Sequence, residues 1–190
     1  MVRANLPWMT TNLVLAAVPV VLAFFLFWRE KPKTARWWVG VVAFVAFLPN
    51  APYVLTDVIH LRDDLEHATR ARQSVLLVVE YAGLMGLGLL FYGIAVALLR
   101  RRLLAEGHAR WRWPVEFALH AVCAVGIFLG RFMRLNSWDL VIRPGEVFRY
   151  VRIPHPTSLA IIAITFFVLL VAALAMRVPL AIHELRRAHR

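Results

Sequence analysis

The stretch WWVGVVAFVAFLPNAPYVL, from Trp37 to Leu55, decides how this chain folds. Its unbroken apolar part, Trp37 to Leu48, has 12 residues and makes about 18 Å of helix at about 1.5 Å per residue. The hydrocarbon core of a bilayer is about 30 Å thick, so that part alone cannot cross it. Continued through Pro49, Asn50, Pro52 and Tyr53, the segment reaches 19 residues and does span. The crossing then contains two prolines, each without an amide donor and each disfavouring helix in the residue before it. A break at Pro-Asn-Ala-Pro is the expectation, with freed carbonyls buried in protein or facing a wet cavity. The competing reading is a helix that ends at Leu48 and turns at the interface.

Composition says why a membrane is the right frame. Of the residues 61% are hydrophobic and 17% charged, with mean hydropathy +0.67, whereas soluble domains carry about 25% charge. So apolar a surface would aggregate in water. The net charge of +11 comes from 22 Lys and Arg. They fall between hydrophobic runs and form no aromatic-interleaved stripe, so topology explains them and nucleic acid is not an expected partner. The one cysteine, Cys123, sits in an apolar run, which excludes a disulfide framework or a cysteine metal site.

Four further apolar segments flank the deciding one: Leu13 to Trp28, Ser74 to Leu99, Pro114 to Leu129 and Ser158 to Met176. The first lacks a small-residue cleavage pattern and reads as a retained helix. The expected fold is therefore all-α, one transmembrane domain over residues 1–190, with about five spanning helices. With five crossings, one side collects thirteen Lys and Arg, among them Arg29, Lys33, Arg100 to Arg102, Arg110 and Arg112. The other collects nine, among them Arg62, Arg131 and Arg134. The richer side belongs in the cytoplasm, which puts the C-terminus inside and the N-terminus outside. The segment around Val147, Phe148, Tyr150, Val151 and Ile153 has the mixed character of an amphipathic piece on the membrane surface.

Two polar motifs lie on the charge-poorer side: Leu48 to Tyr53 with the residues that follow, and Gly130-Arg-Phe-Met-Arg-Leu-Asn-Ser-Trp-Asp139. A pair of crossings separates them, so both face one compartment and can build one site. Arg131 and Arg134, three apart, form a natural clamp for phosphate or carboxylate if they share a helical turn. Asn50, Tyr53, Asn136 and Asp139 would orient the ligand. On a helix from Leu55 to His67, Asp57, His60 and Asp64 fall on one face, a pattern suited to a metal or to acid/base catalysis. A metal would need a further ligand such as Asp139 or His155. The plainer reading is a solvated interfacial helix with i, i+4 ion pairs. Glu80, Glu116 and His120 lie inside spans, and Glu116 and His120 are spaced to bond each other. Gly83, Gly86 and Gly88 read as close-packing positions.

The run Phe47-Leu-Pro-Asn-Ala-Pro-Tyr53 with Thr56-Asp57 and His60-Leu61 resembles the signature of the DUF1361 family of bacterial integral-membrane proteins. The run Gly130 to Asp139 resembles its second signature, with Leu135 standing where that pattern has Trp. The resemblance covers nearly the whole chain and implies a helical protein of a bacterial inner membrane, without an activity. Two functions follow as expectations. One is a binding or accessory protein for an anionic lipid-linked or envelope ligand. The other is a metal-dependent or acid/base hydrolase or transferase acting on a lipid. A small transporter ranks behind both. Membrane lipids are the expected partners, self-association into a homo-oligomer stays open, and no cofactor is named by these residues.

Overall fold

The computed structural model describes residues 2–29, 32–135, 139–145 and 156–188. Among these there is no strand, and five helical stretches are long and apolar enough to cross a membrane. They are Pro7–Phe27, Ala35–Glu66, Ala71–Ala105, Ala109–Phe132 and Pro156–Met176. The elements that carry them are α1 (Val2–Phe27), α2 (Ala35–Phe47), α3 (Asn50–Tyr53), α4 (Val58–Glu66), α5 (Ala71–Ala105), α6 (Arg112–Phe132), the short α7 (Asp139–Ile142) and α8 (Pro156–Ala188). The amphipathic piece expected around residues 147–153 lies outside the described residues.

Helix α1 packs chiefly on α5, and α6 chiefly on α8. Phe27, Phe44, Leu48, Tyr92, Cys123 and Ile127 form the centre of the bundle. A second cluster of Met9, Val54, Leu77, Tyr81 and Leu84 fills the end where the two motifs lie. The outward faces are apolar: Val42, Val79, Ile164 and Phe167 are all exposed. In a bilayer those faces meet lipid, and burial is needed only for backbone and polar side chains.

The proline motif takes a milder form than a break. Leu48 (φ −55°, ψ −38°), Pro49 (−58°, −24°) and Val54 (−60°, −15°) all keep right-handed helical dihedrals. What changes is the hydrogen bonding. Pro52 has no amide to give Leu48, so the Ala51 amide bonds the Leu48 carbonyl at 3.2 Å. The Phe47 carbonyl is then left over, and the Asn50 side chain donates to it at 3.0 Å. A tight 3-10 turn follows at Val54–Asp57, with the Thr56 hydroxyl on the Tyr53 carbonyl at 2.8 Å. Asn50 therefore repairs the ladder that Pro52 interrupts.

Glycines let this segment sit deep. A Cβ at Gly88 would lie 2.5 Å from the Ala51 carbonyl oxygen and closer still to Val54. One at Gly126 would lie 2.7 Å from Pro49, and one at Gly130 would lie 3.2 Å from the Tyr53 ring. The motif is thus seated against α5 and α6 where those helices have no side chain. Gly83 and Gly86, expected to share that role, have open space around them.

At the opposite end a polar latch joins the α1–α2 and α5–α6 connections. Arg102, buried, donates to the Arg29 carbonyl at 2.9 Å and to Glu106 at 2.7 Å. Lys33 reaches Glu106 at 2.8 Å. The Trp37 indole donates to the Leu26 carbonyl at 3.2 Å, and Thr34 caps α2 by accepting from the Trp37 amide. Carbonyls at the end of α1, which have no partner within the helix, are satisfied in this way.

Candidate functional site

Because successive spans alternate in direction, the start of α1, the region from Val54 to Glu66, the start of α5 and the end of α6 share one end of the bundle. Arg131, in the last turn of α6, meets the first motif there. Its Nη1 lies 3.7 Å from Asp57 Oδ1, and Nη1 and Nη2 lie 3.4 and 3.3 Å from His60 Nε2. Asp57 is 1% exposed, and its second oxygen accepts from Asn12 Nδ2 at 3.3 Å. A carboxylate so deeply placed needs such partners to stay charged.

A guanidinium only donates, so a hydrogen bond from Arg131 uses the lone pair of His60 Nε2. The imidazole is exposed and packs against Trp8, ring centroids 5.5 Å apart. Trp8 also lies 6.1 Å from the Tyr81 ring, and the Tyr81 hydroxyl donates to Asp64 at 2.9 Å. Trp8 therefore stands between an Arg131–His60–Asp57 group and a Tyr81–Asp64 pair.

Of the residues picked out from sequence, Asp57, His60 and Arg131 come together. Asp64 is linked to them through Tyr81 and Trp8. Asn50 is committed to the Phe47 carbonyl, and Tyr53 lies over Gly130. Asp139 is buried at the start of α7. Asn136 and His155 lie outside the described residues. Asp57 sits in the 3-10 turn and points into the bundle, while His60 and Asp64 on α4 reach Arg131 and Tyr81. Among the described residues, no three His, Cys, Asp or Glu side chains gather to hold a metal ion.

Arg131 and Arg134 do not share a helical turn either. Helix α6 ends at Phe132, and Arg134 has φ 55°, the one described non-glycine residue with positive φ. The Met133 and Leu135 amides both return to the Leu129 carbonyl, at 3.1 and 3.2 Å. This is a left-handed helix cap of the kind glycine usually occupies. It leaves the Arg134 side chain exposed at the motif's rim.

Asn12, Trp8 and Tyr81 were not singled out from sequence. Asn12 had a signal, being an amide inside an otherwise apolar span. Trp8 and Tyr81 look like ordinary interfacial aromatics.

Comparison with known proteins adds one relationship. The family model described as "Protein of unknown function (DUF1361)" matches residues 11–173. No curated protein and no solved structure matches the chain.

Proposed function

The chain belongs to the DUF1361 family, and we propose that it is a membrane protein that binds an anionic lipid-linked or envelope ligand at the outer end of the bundle. Arg131 and Arg134 hold the anion, and Asn136 and Asp139, which follow them in the second motif, orient it. Asn50 and Tyr53 act more indirectly, by fixing the backbone on which Asp57 and His60 stand. The observation that carries this reading is the convergence of both motifs on the Arg131 guanidinium. That group is held by contacts longer than strong charge-assisted hydrogen bonds, which run about 2.7–2.9 Å. An incoming phosphate can therefore compete for its donors. The left-handed Arg134 supports the same reading, since strained non-glycine residues cluster at ligand clamps.

In this proposal the membrane is a bacterial inner membrane with the site facing outward, supported by the thirteen-to-nine division of Lys and Arg between the two ends. Lipids are the partners, and self-association into a homo-oligomer is compatible with the apolar outer faces.

The experiment compares a polyprenyl monophosphate with the uncharged polyprenol on purified protein in detergent. The phosphate is expected to bind at least about tenfold tighter, and Arg131→Gln should abolish that preference. Equal affinity for the two probes would overturn the reading.

A further inference from the structure

Three arginines in a row, Arg100, Arg101 and Arg102, stand near the end of α5. Successive residues of a helix lie about 100° apart around its axis, so their side chains leave in three directions. Arg100 turns to α6, its Nε 3.9 Å from Glu116 Oε1. Arg102 turns inward, to the Arg29 carbonyl and to Glu106. Arg101 stays outside and exposed, its guanidinium 4.6 Å from the centre of the Trp28 ring just past the end of α1. Among the described residues, Arg101 has no carboxylate within ion-pair distance. Neither its N–H donors nor the Trp28 indole N–H has an acceptor there.

Beside this pair the surface is apolar. Val21, Phe24 and Trp28, at i, i+3 and i+7, lie on one face of α1, and all three are exposed. The Phe24 and Trp28 rings stack with centroids 5.2 Å apart. From Trp28 back to Val21 this face runs roughly 10 Å along the helix, towards the middle of the bilayer. The charge around the pair has one sign, because Arg29, Lys33, Arg36, Arg110 and Arg112 belong to the same end. The described acidic side chains at this end are Glu106, held by Lys33 and Arg102, and Glu116, which is buried. Arg110 and Arg112 repeat the pairing with Trp111 and Trp113, each 5.6 Å from the ring centre. Tryptophans sit at the level of lipid headgroups, and basic side chains close to the membrane surface draw anionic lipids to them.

We propose that Arg101 and Trp28 hold one anionic phospholipid of the leaflet at this end. Its phosphate accepts from the Arg101 guanidinium, whose fork fits two phosphate oxygens. The Trp28 indole N–H donates to the headgroup or to an ester carbonyl below it. One acyl chain lies along Phe24 and Val21. Trp28 also positions Arg101, since a cation–π contact keeps the long side chain in place and uses none of its donors. A free phosphate would meet the same guanidinium but gain nothing from Phe24 and Val21, so a lipid is the occupant. This site does not depend on the one around Arg131, at the other end of the bundle.

The test is native mass spectrometry of the intact protein in detergent, with equal amounts of phosphatidylglycerol and phosphatidylcholine carrying the same acyl chains. Phosphatidylglycerol is expected to be retained about fivefold more often, and equal retention would overturn the proposal. In Arg101→Gln the ratio should fall below about twofold, and Trp28→Leu should lower it as well. Both side chains are exposed, so neither change opens the core. Arg36→Gln removes another exposed arginine of the same end and should leave the ratio unchanged. A loss there equal to that of Arg101→Gln would mean a diffuse basic surface and overturn the site. Arg131→Gln should also leave the ratio unchanged, and its loss would move the lipid to the other end and overturn the proposal. Displacement of the lipid by millimolar inorganic phosphate would mean a free-anion site and overturn the lipid assignment.

Discussion

Arg131 Nη1 lies 3.7 Å from Asp57 Oδ1, and the two partners differ sharply in exposure: the arginine side chain keeps 16% and the aspartate 1%. Removing one partner is therefore not equivalent to removing the other. Arg131→Gln strands a buried carboxylate and should cost on the order of 3 kcal/mol. Asp57→Asn leaves a guanidinium with access to solvent, and should cost on the order of 1 kcal/mol. The double variant should be more stable than the sum of the singles implies, by about 1–3 kcal/mol. Thermal unfolding of the four proteins in one detergent checks this.

The glycines under the proline motif give a second prediction. Gly88→Ala places a methyl group against the Ala51 carbonyl and Val54, and should destabilise by about 1–3 kcal/mol. Gly86→Ala meets open space and should be neutral or stabilising by up to about 1 kcal/mol. Melting temperatures of the two variants should fall on opposite sides of, or clearly apart from, the parent.

Arg134 separates stability from binding. Its φ of 55° costs a non-glycine residue about 1–2 kcal/mol. Arg134→Gly should accordingly raise the melting temperature while weakening polyprenyl monophosphate binding by about tenfold. A variant that gains stability and keeps full affinity would remove Arg134 from the anion site.

The latch at the far end sets an acid limit. The Lys33 hydrogen bond, with Arg102 beside it, holds the Glu106 carboxyl below its ordinary value. The folded state thus binds fewer protons there than the unfolded chain. The stabilisation is complete above about pH 4.3, the ordinary glutamate value, and is lost as pH falls through the lower folded-state value. The stability difference between parent and Glu106→Gln should be constant near neutrality and vanish in acid.

Much of this architecture was legible in the sequence. Segment lengths gave five spans, and the even number of crossings between the motifs put Asp57 and Arg131 at one end. Gly88 was read correctly, but Gly83 and Gly86 look identical in sequence and differ only in what faces them. The proline break was overestimated because the repair is local: Asn50 supplies the donor that Pro52 lacks, a role its type permits but does not announce. The spacing of Asp57, His60 and Asp64 does not say that the first two meet Arg131 of α6 while Asp64 meets Tyr81 of α5. The expected Glu116–His120 bond gave way to partners on α5, Arg100 and Tyr92, whose positions only the packing of α5 on α6 fixes. Trp8 and Tyr81 could not be placed at the site for the same reason.

The anion site is tested most directly by measuring polyprenyl monophosphate binding to folded Asp57→Asn beside the parent protein. In the proposed function Asp57 is the internal anion that an incoming phosphate must displace from Arg131. Without it, affinity should increase by about three- to tenfold, and the increase should disappear when Arg131→Gln is added. Affinity that is unchanged in both variants would mean that Arg131 and Asp57 only fasten the two motifs together, and would contradict a ligand site there.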